Sequence, residues 1–434
     1  MQLLKLLSGA VALLAAAVVA APAKHQPYAG HQLVRVNVSP NAPDQTVQQL
    51  HKALEAQHLD VWDVQRDHID VRLPAGLKSI HDAPHISALL KSGSADATVL
   101  HSNIQQIVDA ERARLSKPEA ATAPFFSDYQ PYDKIVAWYQ DLAKANPTLV
   151  TFVPSIGQTV NGVDIFAIRI TSPNASPTPK KQFFFQGLIH AREWISGTTA
   201  AYLANQLVAD YAKDATLLNA AEFVFIPVVN PDGYKYTWTD ERLWRKNLGA
   251  NGQGVDLNRN YDDGHWAKGG SSNDPSDETY HGPSAASEPE TQAVQNYFLA
   301  QKNLVGALDL HSYSQLVLRP YGYTRSAAPD ETLNKKLGDG IAAAIKKNSK
   351  KTYSSIKSID LYVTTGTSTD FWYKNRRIYS FTIELRPTDG GSSGDGFVLD
   401  PSQILPTGQE IYAAVTYWVN AALASPLPSS QKSQ

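Results

Sequence analysis

The chain has 434 residues, enough for one large domain with an ample core and a smaller one beside it. Its formal net charge of −2 gives no electrostatic case for nucleic acid or a membrane surface as partner. It has no cysteine, which excludes disulfides, a thiol nucleophile and every thiolate metal site, so a metal would have to sit on His, Asp or Glu.

The first stretch, MQLLKLLSGAVALLAAAVVAAPA, places one Lys before an apolar run that ends in small residues. This is the pattern of a secretory signal peptide over residues 1–20, cleaved after Ala20; an uncleaved anchor is the other reading. No later run reaches the ~18 apolar residues of a membrane span, so a secreted, extracellular protein is expected. NVSP at Asn37 and NASP at Asn174 fit the glycan acceptor pattern, each with Pro after the hydroxyl residue.

Residues 31–110 read as a small α/β unit. HQLVRVNV alternates as a strand, DQTVQQLHKALEAQ has helical spacing, LDVWDV and IDVRL are short strands, IHDAPHISALLKSG is helical, and DATVLH closes as a strand. The β-α-β-β-α-β order predicts a ferredoxin-like sheet. DAERARLSKPEAATAP, residues 109–124, reads as an exposed helix end running into a linker.

From about residue 125 the rhythm becomes α/β on a larger scale. QFFFQGLI, AEFVFIPVV, LVGALDLH and YSFTIEL are apolar runs of the kind buried on both faces. Ala200, Leu203, Leu207 and Tyr211 mark a helix between the first two. The last helix is predicted to open on a Thr407/Glu410 capping box, and residues 424–434 to be a disordered tail. Ligands gather outside the carboxyl ends of strands in such sheets, where His190 and Glu193, His311 and Glu384 fall.

A catalytic zinc takes three N/O ligands and leaves one position open, often with two His and one Glu. His190-x-x-Glu193 offers two ligands from one turn and His311 can supply the third. Alone, the same pattern also describes a capping Glu beside a core His.

The segments LIHAREWISG, VVNPDGYKYTWTDERLWRKN, GVDLNRNYD, ETYHGPSAASEPET, LDLHSYSQLVLRPYGY and YSFTIELRPT stand in an order and spacing that closely resembles the zinc metallocarboxypeptidases of the carboxypeptidase A/B family. The resemblance spans about residues 125–423 and is nearer the A-like members. It implies a mixed, mostly parallel sheet flanked by helices, and one Zn2+ held by His190, Glu193 and His311. Asp256 would receive the ring N–H of the first ligand His. Glu384 would be the general base, and Arg245 would face the developing oxyanion. Arg192 and Arg242 match residues touching the peptide away from the scissile bond, and Asn258, Arg259 and Tyr362 match the clamp on the free α-carboxylate.

By the same resemblance Thr369 lies near the side-chain pocket floor, with Gly322 also at the pocket, while Asp370 is common to both subclasses. A neutral Thr369 predicts release of aromatic or aliphatic residues, because it cannot pair with a buried ammonium. One extra residue between Tyr353 and Tyr362 leaves a rival in which Asp360 reaches the pocket and selects basic residues. A non-catalytic peptide-binding relative is the rival from another class.

The resemblance further implies a zymogen. Residues 21–114 would be an activation segment inhibiting the enzyme, and residues 115–124 a linker with a processing site for an activating protease. The cut is expected near Arg112 or Arg114, or in the Ala-rich stretch beyond; Lys117 is followed by Pro. Partners would be peptide and protein C-termini, with the chain a monomer. Eight of the twelve histidines (His25, His31, His51, His58, His68, His81, His85 and His101) precede residue 102. If they cluster, their joint charging would loosen the segment in acid.

Overall fold

The computed structural model describes residues 27–43, 45–77, 79–82, 84–119, 123–174, 179–249, 252–388 and 396–426. The expected signal peptide at 1–20, His25, part of the Ala-rich linker, the residues after Asn174 and most of the expected tail lie outside the described residues, as does the side chain of His85.

The N-terminal unit is built from β1 (Gln32–Val38), a helix Thr46–Glu55, β2 (Asp60–Val64), β3 (His68–Leu73), a helix Pro84–Lys91 and β4 (Ala95–His101). Its sheet runs β2-β3-β1-β4 with every pairing antiparallel. Period-two alternation sends Val34, Val36, Ile69 and Val71 to one core, which Leu50, Leu54 and Ile86 of the helices complete.

A helix, Ile104–Leu115, follows, capped by the Asn103 side chain on the Gln105 N–H. It runs out into exposed chain over residues 116–119, and one residue of its last turns departs from that. Glu111 is buried, where it accepts hydrogen bonds from Arg242, and Arg114 pairs with Asp128. The charge on this helix is spent on the large domain.

That domain holds eight strands: β5 (Val150–Val153), β6 (Ala167–Ile170), β7 (Lys181–Gln186), β8 (Ala221–Ile226), β9 (Leu304–Ser312), β10 (Leu316–Arg319), β11 (Ser354–Lys357) and β12 (Tyr379–Leu385). Their order is β11-β10-β12-β9-β7-β8-β6-β5. The central run β12-β9-β7-β8 is parallel, and antiparallel pairings flank it, so the expected mixed, mostly parallel sheet is present. Both faces are covered. Helices Trp194–Tyr211, Glu331–Ser349 and Ile404–Leu423 pack on one face with Phe183, Phe185, Leu308 and Phe381. Phe184, Val224 and Ala307 face the other with Phe298, Phe371 and Trp372.

The expected capping box at the last helix is corrected. The helix begins at Ile404, behind a 3-10 turn (Pro401–Gln403) that Asp400 caps through the Ser402 N–H at 2.9 Å. Thr407 and Glu410 therefore lie inside it and are fully buried. Glu410 instead accepts from Arg386 Nε and from the Tyr353 hydroxyl, each at 2.8 Å. Among the described residues no helix is long and apolar enough to cross a membrane.

Candidate active site

Strands β7, β9 and β12 are parallel neighbours, so their carboxyl ends share one edge of the sheet. His190 and Glu193 lie on the turn between β7 and helix Trp194–Tyr211, and His311 is in β9. Glu384 of β12 is the direct register partner of His311. One edge thus brings together four residues that span 194 positions of sequence.

His190 Nδ1 is 2.8 Å from Glu193 Oε1 and 3.1 Å from His311 Nδ1, and His311 Nδ1 is 3.2 Å from Glu193 Oε2. Each ring turns its other nitrogen to a carboxylate: His190 Nε2 to Asp256 Oδ1 at 3.1 Å, and His311 Nε2 to Asp309 Oδ2 at 2.9 Å. The ring protons therefore belong on Nε2, which leaves both Nδ1 lone pairs converging with the Glu193 carboxylate. Three acceptors aimed at one point cannot satisfy one another; a cation satisfies all three. All three residues are buried, and two imidazoles with one carboxylate are a zinc donor set. The ligand atoms lie within 4.8 Å of one another. The residues fit the ion.

Asp256 caps the turn Leu257–Arg259 through the Asn258 N–H at 2.9 Å and also receives Arg245 Nη2 at 2.9 Å. It caps the turn and meets the His190 ring at once. Burial opposes its charge, but Arg245, His190 and Arg259 hold its carboxyl well below the ordinary value. Burial, reinforced by Glu193, pushes the Glu384 carboxyl up to about 8 against the pull of His311 and Arg245. Glu384 does not pair with Arg386, which belongs to Glu410.

The same cavity is lined by Arg245, Asn258, Arg259, Tyr362 and Thr369. Arg259 donates through Nη1 to the Asn258 carbonyl at 2.9 Å, while its Nε is buried without a hydrogen-bond partner among the described residues. Thr369 is buried with its hydroxyl 2.7 Å from that of Thr382. Gly322 stands behind this wall: its N–H reaches Asp370 at 2.9 Å, and a Cβ there would come within 2.1 Å of Thr364 Oγ1. Asp360 does not line the cavity and lies 3.6 Å from Arg325. The extra residue therefore does not bring its carboxylate to the pocket.

Two expected peptide contacts behave differently from the rest. Arg192 lines the cavity, but its Nη1 is 3.0 Å from both oxygens of Asp60 in the N-terminal unit. Burial opposes the charge on Asp60, and Arg192 with Arg72 brings its carboxyl down to about 2. Arg242 does not reach the cavity. It lies under Trp194, 3.7 Å from the ring centre, donating to Glu111 and to the Phe397 and Arg192 carbonyls. Residues Val61 to Val64 of β2 line the cavity from above, with the Ser314 hydroxyl donating to Asp63 at 2.5 Å.

The described histidines of the N-terminal unit meet different neighbours. His58 lies 3.5 Å from Asp277 and His68 3.5 Å from Asp63, while His31 touches Arg72. His51 stacks on Tyr362 at 4.3 Å. Asp309 and its partner Ser368 were missed from sequence. The signal was there: in LDLH, residues two apart on a strand share a face.

A buried two-histidine, one-carboxylate site at the carboxyl edge of an α/β sheet, with a further buried carboxyl group beside it, defines a zinc hydrolase. The zinc carboxypeptidase family model matches residues 135–414. Bovine carboxypeptidase A1 is 31% identical over 404 residues, covering 89% of this chain and 93% of its own length. An inactive metallocarboxypeptidase, ecm14, of Talaromyces marneffei is 32% identical over 446 residues, covering 89% of this chain and 71% of its own. The crystal structure of carboxypeptidase A from Helicoverpa armigera superposes with a TM-score of 0.82 at 28% identity, covering 92% of this chain and 99% of that one. The chain belongs to the zinc carboxypeptidase family and is a zinc metallocarboxypeptidase that acts at peptide C-termini.

Proposed function

We propose that this enzyme releases single neutral residues, aromatic or aliphatic, from peptide and protein C-termini, and that it is made as a secreted zymogen. The observation that carries the specificity is Thr369 lining the cavity beside Thr382, so that this part of the wall presents two neutral hydroxyls. Asp360, the candidate for a basic preference, is engaged outside the cavity by Arg325.

His190, Glu193 and His311 would hold the zinc, which when bound supplies Lewis acidity that polarises a carbonyl and acidifies water. Glu384 would take the proton of the attacking water and return it to the leaving amine; a raised carboxyl suits both tasks. Arg245, fixed by Asp256, would face the charge growing on the carbonyl oxygen. Arg259, with an unpaired Nε and a fork open to the cavity, would take the terminal carboxylate with Asn258 and Tyr362. The retained base and ligands argue against a purely peptide-binding role.

Residues 21–114 would form the inhibiting segment, 115–124 the processing linker and 125–423 the enzyme. Support comes from β2 lining the cavity and from Asp60 occupying Arg192, a residue expected to meet substrate. The deciding experiment is a panel of peptides ending in Phe, Leu, Lys and Glu, presented to the intact chain and to the chain cut after residue 114. Cleavage of the Phe and Leu peptides by the cut form alone is expected. Preference for Lys, or no cleavage of any peptide, would overturn the reading.

A further inference from the structure

The zinc site has a buried carboxylate that the expected chemistry leaves unused. Asp309 stands in β9 two residues before His311, on the same face of the strand, between Gln186 of β7 and Thr382 of β12 in the register. It has no exposed surface. Its Oδ2 lies 2.9 Å from His311 Nε2 and receives the Ser368 hydroxyl at 2.5 Å, while Oδ1 has no hydrogen-bond partner among the described residues.

Burying a carboxylate costs several kcal/mol unless a counter-charge is near. Asp256, which plays the matching part for His190, has one: Arg245 donates to it twice, at 2.9 and 3.2 Å. No ion pair to Lys or Arg is found for Asp309 among the described residues. Its partners are one imidazole and one hydroxyl, and the other nitrogen of that imidazole, His311 Nδ1, faces His190 and Glu193.

We propose that Asp309 is a positioning residue for zinc. Clamped by Ser368, it fixes the Nε2–H tautomer and the ring plane of His311, and it makes that ring the more strongly donating of the two imidazole ligands. The proposal rests on His190, Glu193 and His311 holding the ion.

The test is Asp309→Asn in the full chain, with Ser368→Ala as a milder second variant that leaves the buried charge in place. Zinc affinity is measured by competition with a chromophoric chelator, and melting temperature with and without zinc. Asp309→Asn is expected to bind zinc about 10–100-fold more weakly, the usual cost of losing such a support. The gap between its zinc-bound and metal-free melting temperatures should narrow relative to wild type. Ser368→Ala should weaken zinc several-fold and decides the matter if Asp309→Asn does not fold. Zinc binding by both variants within threefold of wild type would overturn the proposal. So would equal falls in melting temperature with and without zinc, the mark of a structural acid. Wild-type protein that binds no zinc would instead overturn the assignment of the ligands, and the proposal with it.

Discussion

Glu384 and His311 face each other across the β12–β9 pairing, one register step on parallel strands, so the proposed base and the proposed zinc ligand leave the sheet at the same height. Neither can shift without the other strand. Replacing Glu384 by Gln keeps the shape and removes the ability to accept or return a proton. Turnover should fall on the order of 10²–10⁴-fold, with zinc content unchanged by metal analysis. Near-normal turnover with full metal content would mean that another group is the base.

Thr369 offers a second handle, on selectivity. Its hydroxyl meets that of Thr382 inside the wall of the cavity. Thr369→Asp places a carboxylate there, and kcat/KM should move from peptides ending in Phe toward those ending in Lys or Arg. A variant that still prefers Phe would show that this wall does not receive the terminal side chain.

The bond between Asp60 and Arg192 joins the N-terminal unit to the cleft. Breaking one side of a buried ion pair commonly costs about 3–5 kcal/mol. Asp60→Asn should therefore raise hydrolysis of a small peptide by the intact chain by about tenfold or more, tenfold being ~1.4 kcal/mol. Basal hydrolysis equal to wild type would show that this bond does not hold the cover.

Acid should act on the cover through two opposed groups. Burial, with Arg259 beside it, lowers His51 from 6.5 to about 4, so covering disfavours its proton and weakens as pH falls from 6.5. Burial raises Glu55 from 4.5 to about 7, so covering favours its proton and strengthens over nearly the same span. The two nearly cancel between pH 6.5 and 5, and wild-type basal hydrolysis, normalised to the cut enzyme, should stay flat there. Glu55→Gln leaves His51 uncompensated, and its cover should loosen by up to about tenfold per pH unit. A flat profile in that variant would show that His51 remains covered when the cleft opens.

The centre of the site was legible because its polar residues interrupt apolar runs. His190, Glu193 and Glu384 stand where buried strands run out, which is costly for charged groups without a purpose. Asp256, Arg245 and Arg259 came from family resemblance, since nothing local separates them from caps and surface arginines. Asp309 escaped notice because its role needs the ring of His311 turned edge-on to it, a three-dimensional fact. Arg242 and Glu410 were misread for the same reason: their partners, Glu111 and Arg386, lie 131 and 24 residues away. The main strands were legible in alternation and run length, while their order in the sheets and the long-range ion pairs leave no local trace.

The helix Ile104–Leu115 carries Glu111, which holds Arg242, and on the proposed reading it also carries the bonds at Arg112 and Arg114 that an activating protease would cut. A protease needs its substrate extended, and a peptide bond inside a helix is not. Maturation would then wait on fraying of this one helix, and at a given protease activity the processing rate would scale with the population of the frayed form. A helix that sets such a rate acts as a clock. Amide hydrogen exchange along residues 104–115 would read its setting directly.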